Sequence, residues 1–494
     1  MLGSAFAGRD THSGSDPPPA SMSSSSDLIL VGTGFASTFF LKRWLASAPP
    51  GARVRVLERG QLDPHAWQVA NRRNSSFEGE AHVERGGHKK EWVYVIGFGG
   101  GSNRWWACTP RMLPSDFRTQ TMYGIGRDWP VDYDELEPFY AQVEDAMSVA
   151  GPSDDTPFRR STPYPQPPHL ATEPERLLAE ALPGKFFRQP CARTRRATKK
   201  RRVCCASGVC SICPIDVKFS VQNELADVYE DERVELTFGA MVTGVVREAG
   251  EVVGVSYEEG GREQEARGDL VVLGANAIFN AHILLRSGFE HPMLGKRLVE
   301  QVGRNVVVYL DGVDNFQGST SVTGHGYMLY DGEHRRERAA ALIETFNIPD
   351  LRRDHGRWRQ KLHLKFIYED LPSEESTVSV DRADPNVAVT RFGGHSEYTQ
   401  RGLDALEAQL PDVLAPLPVE SIEVRSLNKT EAHILGTTVF GDDPATSVLD
   451  RNLIHHEQRN LVVLGSGCFP GAPPANPTLT LSALALRAAE HLAS

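Results

Sequence analysis

Four of the seven cysteines fall within ten residues, in the run Arg202-Val203-Cys204-Cys205-Ala206-Ser207-Gly208-Val209-Cys210-Ser211-Ile212-Cys213-Pro214. Thiolates crowd like this where a soft metal is bound, because several sulfur charges at close range need a cation or cluster between them. Cys204, Cys205, Cys210 and Cys213 are therefore candidate metal ligands, and an iron–sulfur centre is the leading reading. A zinc knuckle, a disulfide pair and buried thiols without chemistry compete with it. Zinc normally takes two separated cysteine pairs or cysteine with histidine, a pattern that adjacent Cys204 and Cys205 fit poorly. A glycine loop of dinucleotide type lies ahead of this run, near the N-terminus. Nucleotide and cluster together point to electrons that enter as a hydride and leave singly.

The glycine loop has the elements needed to position a pyrophosphate. Asp27-Leu28-Ile29-Leu30-Val31 reads as a strand, Gly32-Thr33-Gly34-Phe35-Ala36-Ser37 as the turn, and 35–45 as a helix. This order sets backbone N–H groups and a helix N-terminus against the phosphates. Ser37 stands where a third glycine is usual and is small enough for close helix–strand packing. A second strand, Val54-Arg55-Val56-Leu57, ends in Glu58, placed to accept hydrogen bonds from a ribose. Gly32, Gly34, Phe35, Ala36 and Glu58 are thus candidate cofactor contacts. The nucleotide could be FAD or NAD on these residues alone.

From residue 27 to the C-terminus the chain resembles the glucose–methanol–choline (GMC) oxidoreductases. The motifs are spread along its length. Gly97-Phe98-Gly99-Gly100-Gly101-Ser102-Asn103-Arg104-Trp105-Trp106, with Cys108-Thr109-Pro110-Arg111, is similar to the family's glycine segment beside the flavin. Trp129-Pro130 and 133–140 resemble its "W-P-x-x-Y-x-x-L-x-P-x-Y" stretch. Residues 269–275 and 284–288 resemble a later strand and helix of the FAD domain, and Gly303-Arg304-Asn305 the turn that opens the substrate domain. The resemblance implies FAD as cofactor, held by Gly100, Gly101, Ser102, Asn103, Gly274 and Gly465, with Val242 near the adenine. Arg104 aligns with the histidine that carries a covalent flavin in some members, and arginine cannot form that link. Non-covalent FAD is the expectation.

Oxidising an alcohol by hydride transfer requires a base for the hydroxyl proton and a polar group that fixes the alkoxide. Ala432-His433-Ile434-Leu435-Gly436-Thr437 and Ala475-Asn476-Pro477-Thr478-Leu479-Thr480 resemble the family's catalytic motifs, which makes His433 and Asn476 the implied pair. Independently, Asn476 followed by Pro477 reads as an N-cap and first-position proline of a helix running to Leu492. With Thr478, these residues would bring a helix N-terminus to the flavin, where negative charge develops. A simple cap is the commoner use of such an asparagine. His455 and His456 sit in no motif and read as loop residues. The glycine-rich form of 464–470 resembles pyranose-oxidising relatives, which raises sugars among the substrates.

The cysteine run has its own parallel in the family. It is similar to the segment of bacterial FAD-dependent glucose dehydrogenases that holds a three-iron cluster (3Fe–4S), with Cys204, Cys205 and Cys210 matching and Cys213 displaced by one residue. Similar segments occur in long-chain alcohol-oxidising relatives, so the run does not identify the substrate. A dehydrogenase passing electrons through a cluster to a protein, a small partner subunit or a quinone is the first function class. An oxidase using O₂, with structural cysteines, is the second. A non-redox flavoprotein on the same fold is the third.

With 494 residues, 40% hydrophobic and 24% charged, the chain is large enough for more than one domain. Its formal charge of -11 argues against a general nucleic-acid binder. The one basic run, at 193–202, reads as a solvated loop, or more sharply as a docking patch or a counter-charge for the cluster. Residues 1–26 read as a disordered tail without an export signal, and Met22 offers an alternative start. No apolar stretch reaches membrane-spanning length, and a cytoplasmic protein is expected. The predicted fold is α/β (α+β overall): a discontinuous Rossmann-like FAD-binding domain at 27–300 and 425–494, with the cysteine insertion at about 191–216. An antiparallel-sheet substrate domain at 301–424, with strands at 362–368 and 377–380, should roof the flavin.

Overall fold

The computed structural model describes residues 25–493, so the tail and the choice between Met1 and Met22 lie outside the described residues, except that Ser26 already opens the first strand. That strand, Ser26–Val31, is followed by the helix Phe35–Ser47 and the strand Val54–Glu58. Leu28, Ile29 and Leu30 are all fully buried. A continuous apolar run suits a parallel strand covered on both faces.

Ser26–Val31 is the centre of a parallel set. Val54–Glu58 flanks it on one side, with Val234–Phe238 beyond. On the other side lies the second half of the long strand Arg262–Leu273, and then Leu461–Val463. The first half of Arg262–Leu273 pairs antiparallel with Glu251–Glu259, which in turn pairs with Ala240–Glu248. One strand thereby serves two ladders. The chain's last helix, Thr478–Ala493, packs on Phe35–Ser47, so the C-terminal segment completes the N-terminal fold.

The roof is a six-stranded antiparallel sheet in the order Val419–Leu427, Val302–Leu310, Lys361–Tyr368, Ala341–Phe346, Val322–Leu329 and Phe186–Arg188. Strand periodicity sorts its two faces. Leu362, Leu364 and Phe366 enter a core shared with Tyr398, Leu403, Leu406 and Leu410 of the covering helices. His363 and Lys365, on the alternate face, look into the cavity below. Thr377–Val380 is a strand but does not belong to this roof. It pairs with Ala388–Arg391, which pairs with His82–Glu84, and it packs against the helix Asn276–Arg286 of the nucleotide-binding layer.

Candidate active site

Between the parallel strands and the roof lies a cavity of about 690 Å³. At its nucleotide end, Gly32 adopts φ +85°, and a Cβ there would come within 2.8 Å of the Gly274 carbonyl oxygen. A Cβ on Gly274 would meet the Ser37 hydroxyl at 1.9 Å. Two strand ends and the helix start thus converge with no room for side chains. Around Gly34 a Cβ would meet nothing within 4 Å, so the helix N-terminus opens on free space. The Glu58 carboxylate accepts from Thr33 N at 3.1 Å, Thr33 Oγ1 at 2.7 Å and Gly60 N at 2.8 Å. It is thereby pinned at the cavity wall. These features suit the pyrophosphate and ribose of FAD.

Twelve of the predicted residues line this cavity: Gly32, Gly34, Phe35, Glu58, Gly100, Gly101, Val242, Gly274, His433, Asn476, Pro477 and Thr478. Ala36, Ser102, Asn103 and Gly465 do not. Ser102 Oγ donates to the Gly99 carbonyl at 2.7 Å and accepts from Val221 N at 3.1 Å. Asn103 Nδ2 donates to the Phe98 carbonyl at 2.9 Å. Both side chains hold the glycine segment in shape from behind. Ser466 lines the wall where Gly465 was expected. Arg59, Tyr94 and Phe279, which no motif marks, also face the cavity, as does Arg286 of the 284–288 segment.

His433 and Asn476 come to the same cavity from separate loops. Asn476 does not cap the following helix with its side chain. The first helical bond runs from Leu481 N to the Pro477 carbonyl at 2.9 Å, which puts Pro477 at the cap and Asn476 one residue outside. The buried Oδ1 of Asn476 has no hydrogen-bond partner among the described residues. His433 Nδ1 lies 2.9 Å from Gln301 Oε1. Burial pushes the His433 pKa down to about 4; Glu431 and Glu344 oppose the shift and Lys365 adds to it. His433 is therefore neutral at ordinary pH, as a base must be. His455 and His456 lie outside the cavity lining, in a loop packed by its own hydrogen bonds.

Under the roof the cavity carries a polar cluster beside the apolar side chains of Val322, Phe346 and Ile348. Lys365 Nζ stands 2.9 Å from Glu431 Oε2 and 3.2 Å from Glu344 Oε2. Burial opposes its charge, but the two carboxylates outweigh burial and raise its pKa. Asn305 Nδ2 donates to Asn428 Oδ1 at 2.6 Å, and Asn428 Nδ2 to Glu431 Oε1 at 2.6 Å. All five residues line the cavity.

The four cysteines of the run do not form a ligand set. Among the described residues, no group of three or more His, Cys, Asp or Glu side chains is disposed to hold a metal ion. Cys204 Sγ lies 3.5 Å from Thr320 Oγ1, and Cys210 Sγ donates to Ser321 Oγ at 3.3 Å. Cys213 Sγ accepts from Val217 N at 3.4 Å, and Cys205 is exposed. Successive residues Cys204 and Cys205 thus face different surroundings. The loop nevertheless reaches the cavity wall through Ser211. Nor is the basic run simply solvated. Arg193 and Arg201 are buried, and burial of the Arg193 charge is offset by Cys191, Cys210, Cys108 and Cys204 around it.

Comparison with known proteins fits this architecture. The N-terminal GMC oxidoreductase domain matches residues 188–307 and the C-terminal one residues 394–485. Over 445 residues the chain is 27% identical to the fructose dehydrogenase large subunit of Gluconobacter japonicus, covering 81% of this chain and 80% of the relative. Over 523 residues it is 25% identical to the paromamine 6'-oxidase of Streptomyces fradiae, covering 94% and 91%. The fold matches that of pyridoxine 4-oxidase from Mesorbium loti with a TM-score of 0.63 at 18% identity, over 94% of this chain and 99% of that one. Both family domains lie in order on one chain, around a cavity shaped for FAD, and the protein therefore belongs to the GMC oxidoreductases, FAD enzymes that act on CH–OH groups.

Proposed function

We propose that this enzyme oxidises a CH–OH group of a sugar, glycoside or related polyol, with His433 as the base and Asn476 as its polar partner. One observation carries the assignment: from distant loops, a neutral histidine and an asparagine with an unpartnered Oδ1 reach the same cavity wall. His433 would take the hydroxyl proton, and Asn476 would orient the oxygen that loses it. Bound FAD, held non-covalently because Arg104 replaces the linking histidine, supplies the hydride acceptor. The helix Thr478–Ala493 starts at the cavity, and its positive end favours negative charge there.

The far end of the cavity supports this substrate class. Lys365, Glu344, Glu431, Asn305 and Asn428 present charged and amide groups suited to several hydroxyls. A dehydrogenase and an aminoglycoside-type oxidase among the relatives fit such a pocket in name.

An iron–sulfur centre on the cysteine loop would give the electrons a one-at-a-time exit, but its four sulfurs do not converge on a ligand set. Ser211 of that loop lines the cavity, and buried Lys218 and Arg193 supply cations beside the thiols. Val203, Val209 and Ile215 are exposed on the same loop and offer a docking surface to an acceptor protein or small subunit. No helix among the described residues is long and apolar enough to cross a membrane. The non-convergence of the sulfurs favours the second reading, an O₂-using oxidase with structural cysteines.

Anaerobic flavin bleaching against sugars, glycosides and alkyl alcohols tests the substrate class. Bleaching by long-chain alcohols alone would overturn it. Iron and acid-labile sulfide content, set beside oxygen consumption, decides between the two exits.

A further inference from the structure

We infer that Gln301 is a positioning residue that fixes the tautomer of His433 and ties it to the asparagine loop. The inference rests on His433 being the base, as proposed above. Gln301 is fully buried beside Glu300, at the point where the roof sheet begins. Its amide nitrogen donates to the Pro473 carbonyl at 2.7 Å and to the Ala475 carbonyl at 3.1 Å. Backbone carbonyls only accept, so both amide hydrogens are committed and the orientation of the side chain is settled. Oε1 therefore faces His433 Nδ1, at 2.9 Å, as an acceptor.

An acceptor at that distance requires Nδ1 to carry the proton of the neutral imidazole. Nε2 is then left with its lone pair, the only ring atom able to take a substrate proton. The opposite tautomer would set an imidazole lone pair against an amide oxygen. Turning the amide over would set its oxygen against two carbonyls. Either alternative leaves buried polar groups unmatched.

The same side chain sets the spacing of the two loops. It holds the residue before Asn476 through Ala475 and holds His433 through the ring. Glu300 secures the other side of the histidine loop. Its Oε1 accepts from His433 N at 2.8 Å, Glu431 N at 3.0 Å and Thr430 Oγ1 at 3.0 Å, while Oε2 pairs with Lys90. Backbone position is thus set by Glu300 and ring state by Gln301. Neither residue is among the cavity-lining side chains.

Gln301→Leu roughly keeps the volume and removes all three hydrogen bonds. In the FAD-loaded variant, substrate-driven bleaching should slow by about 10²-fold, the scale of a misplaced reacting group. Gln301→Leu in a His433→Ala background should add no further loss. Ring ¹⁵N shifts of His433, assigned by difference from His433→Ala, should report the Nδ1–H form in the wild type and a mixture in Gln301→Leu. Gln301→Met serves if the leucine variant fails to fold. An unchanged tautomer signal with unchanged bleaching would overturn the inference, and so would an equal slowing in the His433→Ala background. A wild-type rate in His433→Ala alone would instead remove the base assignment, leaving the tautomer result to stand separately.

Discussion

Lys218 Nζ donates to the Cys210 carbonyl at 2.8 Å, from a position almost wholly inside the protein. The same ammonium donates to the carbonyls of Asn103 at 2.8 Å and Trp105 at 3.0 Å, both in the glycine segment at the cavity. One cation therefore fastens the cysteine loop to the flavin-side backbone. Asn74 Nδ2 reinforces the joint by donating to the Asn103 and Ser211 carbonyls at 3.1 and 2.8 Å. Burial lowers the Lys218 pKa to about 8, with Cys210 and Cys213 acting to keep the charge.

Lys218→Met should free this loop without dismantling the fold. Each carbonyl left buried and unpaired costs about 1–3 kcal/mol, part of which is recovered by no longer burying a charge. The expected outcome is faster proteolysis within 203–217, a lower Tm, and turnover with the acceptor that falls more than substrate-driven bleaching. Equal losses in both half-reactions would show that the joint serves FAD binding instead.

The approach of Gly274 to Ser37 gives a test confined to the nucleotide end. Gly274→Ala drives a methyl into the Ser37 hydroxyl and to 3.0 Å from the Val31 carbonyl oxygen. Overpacking of this kind costs about 1–3 kcal/mol, so FAD retention and Tm should both drop. Ser37→Gly removes the first clash and leaves the second. The double variant should recover part of the loss, and a purely additive result would argue that the two residues are not in contact.

This pairing also shows what the sequence could reveal. Strand, glycine turn, helix and Glu58 follow from local pattern, because backbone needs at a tight turn write themselves as glycine and small residues. His433 and Asn476 are legible as motifs. Gln301 is not, because its role exists only through Pro473 and Ala475, which are distant in sequence. Lys365 is unreadable for the same reason: as one residue of an alternating strand, it shows its facing only once Glu431 and Glu344 are folded against it. Alternation identifies Thr377–Val380 as a strand but not its partner, which lies outside the roof sheet. Ser102 and Asn103 share the glycine-segment motif but brace it from behind; neighbours on a glycine loop share a motif but not a direction.

The pH dependence should carry the sign of the His433 environment. With a pKa lowered to about 4, the base is free at neutral pH, and bleaching should fail only as pH falls toward that value. A free histidine would lose activity near 6.5. Stability follows the same direction: between these values the unfolded chain binds a proton that the folded chain does not, so stability falls as pH is lowered. Lys365→Met removes a cation that depresses this pKa and leaves Glu431 and Glu344, which raise it. The acid limb should therefore move upward in the variant. A limb that stays in place would detach Lys365 from the catalytic histidine.

The cysteine loop makes the sharpest separation between the two electron exits. Hydride transfer needs substrate, base and FAD, whereas single-electron exit needs a carrier beside the cavity, and Ser211 brings this loop there. Cys210 is buried and Cys205 exposed, so the two should respond differently. If the wild-type protein carries iron, Cys210→Ser should lose it, retain substrate-driven bleaching, and fail with the physiological acceptor. Cys205→Ser should disturb any iron less, because Cys205 is exposed while Cys204 and Cys210 bond the neighbouring Thr320 and Ser321. FAD occupancy and Tm must be measured beside both, since Cys210 also packs in the interior. Wild-type protein purified without oxygen, carrying full FAD but neither iron nor acid-labile sulfide, would rule out the cluster. Direct O₂ reduction would then be the exit.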